Sequence, residues 1–398
     1  MFDVHVVGAG PAGAVCAREC ARRGLKVLVS EEHAKIGEPV QCSGLISTGG
    51  LGALGVDYSR AVAWRIRGAR VYSPSMESIR VGNGKVRACV VSRAELDSLL
   101  AEAAEREGVE IELGRRIGRA DLRGKTVVGA DGAGSSVAQW FGFPEIREFV
   151  IGMQVDYEGA KVAEPDCLDM FISNERFPGF FGWAIPLGKE SVRVGMGAYW
   201  RKGERAAPVK ALFGQFLNSS RIAGMLEGAK ERSRLAGCIP MAVRERTAKG
   251  NTLLVGDAAG QVKATTGGGV VFGTAAAGMA AEAIAGGAGA WGGDGLARGA
   301  VANGDAAQEY ETRWRAALGG DLDAHRRIRG ALNSMPDWQV SKLFSAAKLL
   351  GAEAFLERHG DMDKPTGMIG ALDRGFAPLR VLGAPLLGDT NITARGGN

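Results

Sequence analysis

Gly8-Ala9-Gly10-Pro11-Ala12-Gly13, close to the N-terminus, has the spacing of a turn that binds a pyrophosphate. In such a turn the first glycine allows the sharp bend and the second lets the backbone approach the phosphates. The third lets the next helix pack on the preceding strand. The helix N-terminus then directs its dipole at the anion. The context fits. Phe2–Val7 reads as a buried parallel strand, a helix is predicted from Pro11 to Arg23 with Gly24 ending it, and 25–29 reads as a second strand. Glu31 falls about twenty residues beyond the glycines, where a carboxylate takes ribose hydroxyls. Glu32 reads as solvated. Gly8, Gly10, Ala12, Gly13 and Glu31 are therefore the candidate dinucleotide residues; the alternative is a turn that merely packs a helix.

A second signal stands far along the chain at Gly256-Asp257-Ala258-Ala259-Gly260, where an apolar strand ends in Gly-Asp. Asp257 could accept from a ribityl hydroxyl or lie beside the pyrophosphate. The turn Thr265-Thr266-Gly267-Gly268-Gly269 opens the next helix, expected over 269–285, and its bare backbone could face the pyrimidine edge of a flavin and stabilise the reduced, anionic ring. A fingerprint at the start and a Gly-Asp strand end late in the chain together fit FAD held from both ends. Asp131-Gly132 ends a third strand; Asp131 is read either as a cofactor contact or as a helix cap. Arg93 opens a helix expected over 92–107, with Ser92 as N-cap and Glu95 completing a capping box.

The rest of the chain must position these groups. Its 398 residues allow two or three lobes. A net charge of +5, spread along the chain, gives no case for a nucleic-acid partner. The six cysteines have no zinc or iron–sulfur spacing, so no metal site is expected. Met1 leads straight into a strand and no apolar run reaches the ~18 residues of a membrane helix. The expectation is a cytoplasmic protein that could rest on the inner membrane face. The fold expected is α/β: a Rossmann-like FAD-binding domain (1–60, 91–142 and 246–300), an inserted antiparallel sheet domain for substrate (61–90 and 143–245), and a C-terminal helical region (301–398). Within it, a helix is expected near Val209–Leu217, and 285–304 is Gly-rich enough to read as a surface connection. His5, inside the first strand, reads as structural. The apolar stretch Leu343–Leu350 is either core or a membrane contact.

These motifs resemble the FAD flavoproteins of the p-hydroxybenzoate hydroxylase fold. Three further segments narrow the resemblance to the geranylgeranyl reductase family: 36–44 (IGEPVQCSG), 178–186 (PGFFGWAIP) and 256–269 (GDAAGQVKATTGGG). The chain departs from the family at Phe181, where a Tyr is usual, at Ile185, where a Phe is usual, and after Cys42, where Ser43-Gly44-Leu45 replaces Gly-Glu-Gly. The resemblance implies hydrogenation of isolated C=C bonds in isoprenoid chains by reduced FAD. It implies that Cys42 and Ser43 lie along the flavin, that Arg93 contacts FAD, and that Ile117 offers backbone atoms near the adenine. Asp257, Gly268, Gly269 and Val270 would complete the cofactor site, and Phe181, Trp183 and Pro186 would line the substrate cavity.

An isolated alkene is a poor hydride acceptor, so orientation in a dry site and a proton for the second carbon are the levers available. Cys42 is the candidate proton donor; the alternative is a small residue packed against the cofactor. The partners implied are a prenyl lipid substrate, an electron donor (NADPH, ferredoxin or reduced deazaflavin, the first without a second fingerprint of its own) and a peripheral membrane contact. Competing readings are a monooxygenase or halogenase of the same fold, a reductase acting on another prenyl substrate, and a lipid carrier with redox-silent FAD.

Overall fold

The computed structural model describes residues 1–82, 84–288, 303–368 and 370. The first sheet has six strands in the order Ala248–Lys249, Thr252–Leu254, Gly124–Gly129, Phe2–Val7, Val27–Ser30 and Glu110–Glu112. All neighbours are parallel except the first pair. Val4, Val6, Val27, Val29 and Val128 are fully or almost fully buried, because helices cover the sheet. Helix Pro11–Ala21 packs against helix Val270–Ala288, which runs three residues further than expected. Alanines at 14, 17, 276, 277, 280 and 281 allow this close approach.

The chain leaves Phe2–Val7 on one side towards Val27–Ser30 and later returns on the other as Gly124–Gly129. That reversal is a switch point in the strand order, and the carboxyl ends of the strands beside such a point are the usual ligand position in these sheets.

The second sheet has seven strands: Lys230–Pro240, Glu148–Glu158, Ser191–Arg201, Gly182–Pro186, Cys167–Phe171, Gly68–Tyr72 and Ser78–Val81. It is antiparallel apart from the pair Cys167–Phe171 and Gly68–Tyr72. Helix Val209–Leu217, expected over those residues, buries Phe213 and Phe216 against one face. A small sheet of Leu45–Ser47, Ala88–Val91 and Val62–Ile66 joins the two larger ones. The residues from 61 to 90 are thus divided between this junction and the large sheet.

Helices Asn303–Trp314, Gly320–Asn333, Asp337–Leu349 and Ala352–His359 follow. Tyr310 and Trp314 are buried beneath the first sheet, and the Tyr310 hydroxyl donates to Leu254 O at 2.7 Å. In Asp337–Leu349 the apolar residues split: Val340 and Phe344 pack against Ile79, while Leu349 is 87% exposed. Most of the Gly-rich stretch (289–302) and residues 369 and 371–398 of the expected helical region lie outside the described residues. No helix among the described residues is long and apolar enough to cross a membrane.

His5 is fully buried, accepts from the Arg123 amide and bonds Ser30 Oγ at 2.9 Å. Burial lowers its pKa to about 4, so it is a neutral structural group. Ser92 caps helix Arg93–Arg106 by accepting from the Glu95 amide, but the expected box is not completed, since the Glu95 carboxylate pairs with Arg60.

Candidate active site

The first turn divides its labour as its spacing predicts. Gly8 has φ +100°, and a Cβ there would stand 2.5 Å from Ala130 O. A Cβ on Gly13 would stand 2.0 Å from Gly8 O, whereas one on Gly10 would meet nothing within 4 Å. The open side of the turn is therefore at Gly10. No acceptor among the described residues takes the Ala12 and Gly13 amides, and Gly10 caps the helix without a side chain. Glu31 Oε2 accepts from the Ala9 amide at 2.8 Å and Oε1 from the His33 amide at 3.0 Å. This fixes its carboxylate beside the turn.

The second cradle is built alike. Lys263 O accepts the amides of Thr266 and Gly267, yet those of Gly268, Gly269 and Val270 have no acceptor among the described residues. They open helix Val270–Ala288. A Cβ on Gly269 would lie 2.6 Å from Asp257 Oδ1, so only glycine lets the turn approach this carboxylate. Desolvation raises the Asp257 pKa and the field of Arg93 opposes the rise. Two sets of unpartnered amides at helix N-termini, one with Glu31 and one with Asp257, fit the anionic and polyhydroxyl parts of a dinucleotide.

The loop carrying Cys42 and Ser43 is linked to the second cradle through Arg93, whose field reaches Asp257. Arg93 is partly buried, forms two 2.9 Å bonds to Asp97 and reaches the Cys42 thiol. Burial draws its pKa down, but the Asp97 carboxylate outweighs this and holds the guanidinium firmly charged. The large sheet holds the loop from the other side: Gln154 donates to Cys42 O at 3.0 Å, and Arg193 donates to Ser43 O while pairing with Asp156 at 2.6 Å. Ile117 packs against the cluster of Val7, Val127 and Val137 beside the central strands of the first sheet.

Phe181 and Trp183 belong to one aromatic cluster with Phe180, Phe181 lying 5.6 Å from Trp183 and 4.2 Å from Phe180. Trp183 Nε1 is buried without a hydrogen-bond partner among the described residues. Pro186 is not brought to them. It lies on the opposite face of its strand, with Ala184 and Val192, in a charged pocket formed by Arg70, Glu164, Asp169 and Arg221. Asp131 takes its second reading: its carboxylate accepts from Ser135 Oγ at 2.6 Å and the Val137 amide at 3.0 Å, within its own loop.

Several neighbours carry no motif. Cys238 is exposed near Asp257; desolvation and then the Asp257 charge push its thiol up. Lys263, inside the Gly256 segment, is buried and pairs at 2.6 Å with Asp363, which also accepts from Ser47 Oγ. Gln154, Arg193 and Arg329 stand alone in sequence, and nothing local marks them.

The profile of the family described as Lycopene cyclase protein matches residues 3–356. A digeranylgeranylglycerophospholipid reductase of Methanothrix thermoacetophila is 30% identical over 374 residues, 86% of this chain and 90% of that protein. The chain belongs to the geranylgeranyl reductase family. Another member, the digeranylgeranylglycerophospholipid reductase of Methanosarcina acetivorans, is 29% identical over 87% of this chain and 89% of its own length. Among solved structures, a geranylgeranyl bacteriochlorophyll reductase-like protein of Thermoplasma acidophilum superposes with a TM-score of 0.79 at 21% identity, covering 96% of this chain and 99% of that one. The flavin-dependent brominase Bmp2 superposes at 0.67 with 17% identity, over 96% and 97% of the two chains. The family and these structures share one architecture, the Rossmann-like domain with its inserted sheet and helical C-terminal region.

Proposed function

We propose that the protein is an FAD-dependent reductase that hydrogenates isolated C=C bonds of geranylgeranyl chains in membrane-lipid precursors. The observation that carries this reading is the similarity, over 86% of the chain, to a digeranylgeranylglycerophospholipid reductase. The site geometry supports it. Gly10, Ala12, Gly13 and Glu31 would hold the ADP half of FAD; Asp257 and the amides of Gly268, Gly269 and Val270 would hold the flavin half.

Reduced FAD supplies a hydride equivalent when bound. The chain's own residues do the rest. Phe180, Phe181 and Trp183 give an apolar wall that excludes water and orients a prenyl chain. Cys42 Sγ holds the proton for the second alkene carbon, and Arg93, Gln154 and Arg193 keep that thiol in place from three elements. The pocket beside Pro186, with its arginines and carboxylates, is polar and stands apart from the apolar wall.

The test is anaerobic. Protein with its flavin reduced by dithionite is given digeranylgeranylglyceryl phospholipid, and the lipid mass is followed. Gains in steps of two hydrogens are expected. An unchanged lipid beside a reducible flavin would sink the reading, and oxygen-dependent turnover of an aromatic compound would favour the halogenase branch whose fold it shares. A lipid of unchanged mass but altered retention would point to cyclisation instead.

A further inference from the structure

Arg329, in helix Gly320–Asn333, is 7% exposed and meets no carboxylate among the described residues. The other buried arginines differ: Arg18 pairs with Glu19, and Arg244 feels Asp131 and Glu145. Arg329 instead donates to three carbonyls, Ala264 O and Phe180 O at 3.2 Å and Thr265 O. Its guanidinium also lies 5.0 Å from the centre of the Phe180 ring and 5.7 Å from that of Phe181. It thus joins the aromatic wall to the 265–269 turn. Burial lowers its pKa only to about 10, so it stays charged at neutral pH.

The charges around that turn can be summed. Lys263 and Asp363 cancel as a 2.6 Å pair. His325 bonds Thr265 Oγ1, and burial, with Lys263 adding to it, lowers its pKa to about 4, so it is neutral. Asp257 lies on the other side, where burial raises its pKa against the field of an Arg93 that is already paired with Asp97. Arg329 is left as a positive charge behind the turn with no carboxylate partner among the described residues. It draws the carbonyl ends of residues 264 and 265 towards itself, while the unpartnered amides of Gly268, Gly269 and Val270 remain for a ligand. A buried charge without a counter-ion is costly, and an anionic ligand nearby relieves it.

We propose that Arg329 is a positioning residue that supplies the missing half of an ion pair with the reduced flavin, favouring its anionic form and raising the reduction potential of the cofactor. The inference rests on the assignment of FAD. Two electrons from an external reductant and one proton convert the bound flavin to that anion; the second proton stays in solvent because Arg329 and the amides already balance the charge.

The experiment is an equilibrium redox titration of the FAD-loaded protein, Arg329→Met and Arg329→Lys against a reference dye. Arg329→Met is expected to lower the reduced-to-oxidised ratio at a fixed potential about tenfold, which is ~30 mV for a two-electron couple. Arg329→Lys, which keeps the charge, should recover most of that loss. A wild-type potential in FAD-bound Arg329→Met, or an equal fall in both variants, overturns the proposal. The wild-type protein gives a further readout that does not depend on either variant folding. Its potential should follow pH near neutrality with one proton per two electrons, and two protons overturn the proposal. A wild-type protein that takes up no FAD would instead sink the reading of function itself.

Discussion

A Cβ at Gly13 would stand 2.0 Å from the carbonyl oxygen of Gly8, so the helix after the first turn sits directly on the strand end before it. Gly10, midway between them, would meet nothing within 4 Å. The two glycines should therefore fail differently. Gly13→Ala should destabilise the protein by ~3 kcal/mol through overpacking. Gly10→Ala should leave the melting temperature of the flavin-free protein unchanged and weaken FAD binding at least tenfold. Thermal melts with and without FAD separate the two effects. A Gly10→Ala variant that binds FAD normally would mean that the pyrophosphate does not lie over this turn.

Cys42 touches Arg93 and is held through its carbonyl by Gln154. Cys42→Ala should retain FAD and lose about 10²-fold in the rate of alkene reduction, the usual contribution of a general acid. Single-turnover mixing of reduced enzyme with lipid measures this directly. Full activity in Cys42→Ala would leave the thiol a packing role.

Arg193 pairs with Asp156 and donates to Ser43 O, joining the large sheet to the Cys42 loop. Arg193→Met leaves Asp156 partly buried and unpaired, at ~3 kcal/mol of stability. It should also slow turnover more than Asp156→Asn, which keeps the bond to Ser43 possible. Denaturant melts and turnover on both variants provide the check.

His5 and His325 are both buried neutral, their pKa values lowered to about 4 from 6.5. The unfolded chain binds protons that the folded chain refuses. Their contribution is thus complete above pH ~6.5 and is lost as pH falls through about 4, on the order of 3 kcal/mol for each. The melting temperature should fall steeply over that window. His5→Gln should flatten the fall; an unchanged slope would show that other groups govern acid unfolding.

The geometry of the Gly8–Gly13 turn was legible because its requirements are local: a bend, an open position and a close packing contact within six residues. Asp131 was ambiguous for the same local reason, since a strand-end carboxylate can serve a ligand or the next helix, and Ser135 and Val137 decided it. Trp183 and Pro186 were grouped by shared motif although they stand three apart on a strand. Side chains alternate faces along a strand, so an odd separation divides them, and the structure does so. The residues that spacing could not suggest are those acting across the fold. Gln154 reaches Cys42 over 112 positions and Arg329 reaches Phe180 over 149, and neither partner bears a local mark of the other.

The ion pair between Lys263 and Asp363 bears on the order in which the protein is made. Lys263 closes one of the two cradles, but its counter-charge lies 100 positions later and also holds Ser47, at the front of the chain. A nascent chain released only as far as the turn at 265–269 would have to keep that ammonium in water, and the turn with it. The second cradle should therefore mature late in translation, after helix Ala352–His359 has docked, and a shortened chain ending before Asp363 should emerge without tightly bound cofactor if the proposed flavin site is right.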